Sequence, residues 1–155
     1  MNLNEISDRL AITDLLHRYP AGLDTKNWEL LATVFTADGV ADYGALGGIN
    51  EGPAAIVKLC RGALQGLDAS QHILSNIVIE LDGDRARSTC YFQAQHVVAG
   101  TEGGDNFLVG GTYVDDCVRT PEGWRIQRKT LHPTWQDGNA KVFAAAAVRL
   151  AAQGG

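Results

Sequence analysis

Three cysteines in 155 residues are too few and too scattered to frame a fold. Cys60, Cys90 and Cys117 are odd in number, far apart and set among apolar neighbours, so they read as small buried hydrophobes of a reducing compartment. Basic charge is also short: 13 Lys and Arg against 18 Asp and Glu leave a net charge of −5, with no basic cluster. That argues against nucleic acid or an anionic membrane as the main partner. No apolar run approaches the ~20 residues a bilayer span needs. The opening MNLNEISDRL lacks the basic and apolar regions of a secretory signal, so a cytoplasmic location is expected. Internal repeats, linkers and low-complexity stretches are missing as well, and no two of the four histidines show metal-ligand spacing on one element. What remains is one domain, 1–155, with 45% hydrophobic residues to build a core.

The chain is organised around RYPAGLDTKNW, Arg18–Trp28. Before it, Ile6, Leu10, Ile12, Leu15 and Leu16 predict an amphipathic helix over Glu5–Arg18. Pro20 and Gly22 interrupt the pattern, and Asp24 stands before a second periodic run of Trp28, Leu30, Leu31, Val34 and Phe35. Asp24 then has two readings: it caps the second helix, or it faces a cavity and orients a base. A short strand is expected at Val40–Tyr43, a glycine-rich turn at Gly44–Gly48, and a helix over Ala54–Gln65 with Pro53 at its first position.

From Ser70 the period changes to two. Ser70–Leu81, Arg85–Val98, Asn106–Arg119 and Trp124–His132 predict four long strands joined by short turns, an antiparallel meander. In the first of them Ile73, Ile77 and Ile79 share one face; His72, Leu74, Asn76, Val78 and Glu80 share the other. AKVFAAAAVRLAAQ predicts a closing helix. The class is α+β: helices on one face of a curved, mainly antiparallel sheet, leaving a cone-shaped apolar cavity suited to a small molecule.

Several residues could carry chemistry. His72 either packs in the core or points into the cone, where a carboxylate at Asp24 would fix its tautomer and sharpen it as a base. Tyr19 is either an aromatic anchor for its helix or a hydrogen-bond donor to a substrate oxygen. Alternation puts Arg128 on the face of Trp124 and Ile126 and so prefers it to Lys129, although a solvated sheet charge is the competing reading. His96, on the second long strand, reads as packing beside Phe92 and Val98. Tyr43, Trp28, Phe107 and Trp135 would form the pocket wall.

The opening RYPAGLDTKNWELLATVFTADG, the H-x-x-x-N strand His72–Asn76 and the block GGTYVDDCVRTPEGWRIQRKT together resemble the SnoaL-like branch of the NTF2-like (cystatin-like α+β) superfamily, over nearly the whole chain. Within it the resemblance is greatest to the cofactor-independent lyases: scytalone dehydratase, hexachlorocyclohexane dehydrochlorinase and bile-acid 7α-dehydratase. It implies an Asp24–His72 dyad, with Tyr19 beside it, a basic pocket residue at Arg128 or Lys129, and His96 helping to hold a water. The implied activity is a dehydratase or related elimination on a small hydrophobic cyclic or aromatic substrate, without cofactor or metal, in a homodimer or homotrimer, and the strand face of Ile73, Ile77 and Ile79 would fit burial in such an assembly. The superfamily also supplies non-catalytic ligand-binding or assembly modules, such as dioxygenase small subunits, and isomerases and polyketide cyclases.

Overall fold

The computed structural model describes residues 1–154. Helix α1 spans Leu3–Asp24, opened by a capping box in which Asn2 and Glu5 satisfy each other's backbone N–H groups. Its buried side, Ile12, Leu15, Leu16, Tyr19 and Leu23, keeps helical spacing and packs on the sheet. The predicted end at Arg18 is therefore a turn and a half too early. Pro20 removes one helical hydrogen bond, a cost of about 3 kcal/mol in a helix interior. However, Tyr19, Pro20 and Leu23 are all buried, and that packing carries the helix through. Asp24 is thus the last residue of α1. The cap of the next helix, α2 (Trp28–Thr33), is Asn27, whose side chain accepts from the Leu30 N–H at 3.0 Å. Gly22 lets the two helices touch: a Cβ there would lie 3.1 Å from the Leu31 backbone N.

Strand β1 (Phe35–Asp42) is longer than expected and begins where the helical period was read to end. A 3-10 turn at Gly44–Leu46, strand β2 (Ile49–Glu51) and helix α3 (Pro53–Leu64) follow. The four long strands are β3 (Ala69–Asp82), β4 (Arg85–Val97), β5 (Asn106–Thr120) and β6 (Gly123–Gly138), and helix α4 (Lys141–Ala152) closes the chain. The meander β3–β6 is as predicted, but the sheet has six strands in the order β2-β1-β6-β5-β4-β3, with β1 parallel to β6. Helices α1 and α3 cover the concave face, and α4 leans on α3. Gly66 permits that last contact, since a Cβ there would stand 1.9 Å from the Ala146 carbonyl oxygen. Among the described residues no helix is long and apolar enough to cross a membrane.

Two bulges decide which side chains face the core. In β3 the register slips between Ser75 and Val78, where Asn76 takes φ = 53°. One inserted residue exchanges the faces. His72 and Leu74 point inward before the bulge, and Ile77, Ile79 and Leu81 pack against the core after it. The expected apolar face of Ile73, Ile77 and Ile79 does not exist; Ile73 lies outside with Val78 and Tyr91, each more than half exposed. In β6 the register slips at Gln127, between the pairs Ile126–Cys117 and Arg128–Asp116. Here the slip turns Lys129 inward and Arg128 outward, the reverse of the sequence-based choice.

Candidate active site

Asp24 sits at the end of α1 directly over β3. Its carboxylate accepts three hydrogen bonds: from the Ser70 hydroxyl at 2.9 Å, from the His72 backbone N–H at 2.8 Å, and from His72 Nδ1 at 2.6 Å. Ser70 and His72 are two apart on a strand and so share a face. Burial by itself would raise the Asp24 pKa, but the ring, backbone N–H and hydroxyl donors outweigh it and hold the carboxyl below its ordinary value. An ionised carboxylate can only accept, so Nδ1 carries a proton, and in the neutral form of the ring Nε2 is the bare nitrogen. Among the described residues nothing else hydrogen-bonds that ring.

Beyond the ring lies a cavity of about 360 Å³, within the range of small-molecule sites. Its polar lining is His72, His96, Tyr19, Tyr43, Tyr113 and Cys60; the remainder is mostly apolar, including Leu59, Phe92, Val109, Leu131 and Phe143. The Tyr19 and Tyr43 hydroxyls are 2.9 Å apart, and Tyr43 is 3.3 Å from Cys60 Sγ. Burial pushes both phenols well above their ordinary pKa and the thiol up to about 11. All three groups keep their protons at neutral pH.

His96 is a second histidine of different character. Its Nδ1 donates to the Phe107 carbonyl at 3.1 Å, and its ring meets that of His72 edge-on, centroids 5.8 Å apart. Burial, aided by the nearby His72, lowers its pKa to about 4. It is therefore neutral at pH 7. The folded protein then binds fewer protons than the unfolded chain between pH 4 and 6.5, so stability is full above 6.5 and lost as pH falls. From pH 7 to pH 5 this group should withdraw about 2 kcal/mol. Urea unfolding at the two pH values checks this: His96→Gln should show a loss smaller by that amount.

The structure brings Asp24, His72, Tyr19, Tyr43 and His96 together and separates the other expected residues. Arg128 is exposed on the outer face, 3.7 Å from Asp42. Trp28 donates from its indole to Gln65 Oε1 at 2.8 Å, outside the cavity. Phe107 is buried behind His96, supporting it through its carbonyl and not lining the space. Trp135 is 45% exposed and lies over Gly110. The sequence reading missed Tyr113, Phe92 and Phe143. In GGTYVDDC the inward alternation Tyr113, Asp115, Cys117 was available as a signal, because it places a phenol and a carboxylate inside. Among the described residues no three His, Cys, Asp or Glu side chains converge as a metal site.

The SnoaL-like domain profile matches residues 4–130. The chain belongs to the SnoaL-like domain family. An uncharacterized Mycobacterium tuberculosis protein, Rv2910c, is 39% identical over 129 residues, covering 83% of this SnoaL-like chain and 87% of its own. A Penicillium crustosum protein, terrestric acid biosynthesis cluster protein E, is 32% identical over 144 residues, with 89% and 90% covered. Among solved structures, Kfla4162 from Kribbella flavida superposes with a TM-score of 0.83 at 27% identity, covering 90% of this chain and 99% of that one. A candidate scytalone dehydratase from Novosphingobium aromaticivorans (TM-score 0.80, 24% identity, 90% and 92% covered) and a hexachlorocyclohexane dehydrochlorinase from Novosphingobium barchaimii (0.79, 18%, 90% and 95%) share the fold. The SnoaL-like chain therefore has the cystatin-like, NTF2-like α+β architecture expected from its sequence.

Proposed function

We propose that the protein is a general-base lyase that eliminates water, or a similar leaving group, from a small hydrophobic cyclic molecule. One observation carries this reading: the Asp24 carboxylate grips both Nδ1 and the backbone N–H of His72, so a bare Nε2 faces a mostly apolar cavity. His72 Nε2 takes a proton from the carbon beside a carbonyl. The released electron pair forms the new carbon–carbon double bond as the carbon–oxygen bond on the next carbon breaks. With the Tyr43 hydroxyl, 2.9 Å away, turned to donate to it, Tyr19 gives its own proton to the departing hydroxyl, which leaves as water. The proton held on His72 restores the donor, so the enzyme ends unchanged. General-base catalysis of this kind contributes roughly 10²–10⁴-fold, and confinement in the cavity adds positioning.

A relative named for a biosynthetic cluster supports a small biosynthetic molecule as substrate. Fold likeness to a dehydrochlorinase and a candidate dehydratase is consistent with elimination. The test uses 3-hydroxy-1-tetralone, a bicyclic β-hydroxy ketone that gives fluorescent 1-naphthol on losing water. Naphthol release above the buffer rate, lost in His72→Ala, is expected. Release at the buffer rate, with tight binding of the ketone unaffected by His72→Ala, would favour a binding module instead.

A further inference from the structure

The dyad leaves two features of the interior unused. The first is Tyr113. Its ring lines the cavity, stacks on Phe92 at 4.3 Å and 10°, and meets Tyr19 edge-on at 5.7 Å. Among the described residues its hydroxyl has no hydrogen-bond partner. It is also not one of the unpaired polar atoms sealed from solvent, which are Arg9 Nε, Thr36 Oγ1 and Ser88 Oγ. The Tyr113 hydroxyl therefore opens into the cavity.

The second is the Lys129–Asp115 pair. These side chains are 2% and 1% exposed and meet through both carboxylate oxygens at 3.1 and 3.2 Å. They occupy neighbouring inward positions across β5 and β6, with Ser88 next in the row on β4. A buried pair of this kind is poor value as a stabiliser, since apolar residues of similar volume often do as well. Its placement suggests a different use. The Lys129 ammonium lies 3.8 Å from the Tyr113 ring centroid and 4.2 Å from that of Tyr19.

We propose that Tyr113 is a second catalytic hydrogen-bond donor, holding the substrate's carbonyl oxygen, and that Lys129, fixed by Asp115 under its ring, is a positioning residue that strengthens it. The inference rests on the elimination reading above. As His72 removes the proton beside the carbonyl, negative charge grows on the carbonyl oxygen. Tyr113 stabilises that charge by hydrogen bonding and keeps its own proton, while Tyr19 supplies the proton to the departing hydroxyl. A cation over the face of a phenol draws electron density from its oxygen, making the O–H a better donor. In a dry interior that fixed charge acts strongly on a developing oxyanion. The two phenols thus serve two oxygens, which defines the substrate as a β-oxygenated ring ketone.

The test needs no turnover. 1-Tetralone labelled with 13C at its carbonyl should bind the wild type with its carbon signal moved downfield by the hydrogen bond. Tyr113→Phe should return the signal most of the way to its free position and weaken binding about tenfold. Replacing the buried pair together, Lys129→Met with Asp115→Leu, should reduce the downfield shift when Tyr113 is present and leave it unmoved in the Tyr113→Phe background. A merely structural pair would change both backgrounds alike, which would overturn the role of Lys129. A wild-type signal equal to that of free ketone, or one unchanged by Tyr113→Phe, would overturn the role of Tyr113. The carbonyl signal does not depend on proton abstraction, whereas His72→Ala reports only on the dyad, so each reading can fail alone.

Discussion

His72→Ala is expected to abolish naphthol release, and Asp24→Asn to lower it roughly 10²–10⁴-fold with the fold intact. The second effect follows from the hydrogen bonds at Asp24. The His72 backbone N–H, 2.8 Å from Oδ2, can only donate, so it fixes the oxygen of an asparagine amide at that point. The amide NH2 must then take the place of Oδ1, 2.6 Å from His72 Nδ1. An NH2 group donates, so Nδ1 becomes an acceptor and the neutral ring carries its proton on Nε2. The base is present but in the wrong tautomer. Ser70 turns its hydroxyl to accept, and no buried group is orphaned, which is why the fold survives. Steady-state rates with matched circular dichroism check both variants; near-normal turnover in both would remove the dyad from the mechanism.

Lys129→Ala is the variant expected to do most harm to stability. Asp115 is fully buried, and burial raises its pKa against the pull of Lys129. Removing the ammonium leaves a carboxyl with no cation, takes the charge from under Tyr19 and Tyr113, and opens a void. Breaking one partner of a buried pair costs about 3–5 kcal/mol, a large share of a small domain's stability. Replacing both partners, Lys129→Met with Asp115→Leu, should recover most of that loss. Urea unfolding of the three proteins measures it. A loss below about 1 kcal/mol for Lys129→Ala, the range of an exposed pair, would mean that the pair is solvated.

Much of this fold is legible in the chain because its signals are local. Helical spacing in α1 and α3, alternation in β3–β6 and turn residues at Gly83 and Gly123 each act over a few residues. The misreadings came where a long-range contact overrode a local rule. Pro20 is carried through α1 by packing that a periodicity count cannot see, and the parallel pairing of β1 with β6 joins segments some 90 residues apart in sequence. The bulges at Asn76 and Gln127 matter most for the site. Alternation assumes an unbroken pleat, so each inserted residue reversed the inside and outside assignments beyond it. That one effect moved Ile77 and Ile79 into the core and exchanged Arg128 for Lys129.

The site divides the same way. Asp24 and His72 were found through their positions in a resembling sequence, but whether Asp24 served a helix end or an imidazole depended on a contact across 48 residues. Tyr113 lay within a block read as a mark of the fold, from which only Arg128 or Lys129 was drawn toward the pocket. Its importance comes from Phe92, Tyr19 and Lys129, which sit on three other elements.

The most direct test of the dyad is the 15N NMR assignment of the His72 ring tautomer in its neutral form, in the wild type and in Asp24→Asn. The geometry predicts a protonated Nδ1 and a bare Nε2 in the wild type, and the reverse in the variant. The same tautomer in both proteins, or a wild-type ring already protonated at Nε2, would contradict the claim that Asp24 prepares His72 as a base.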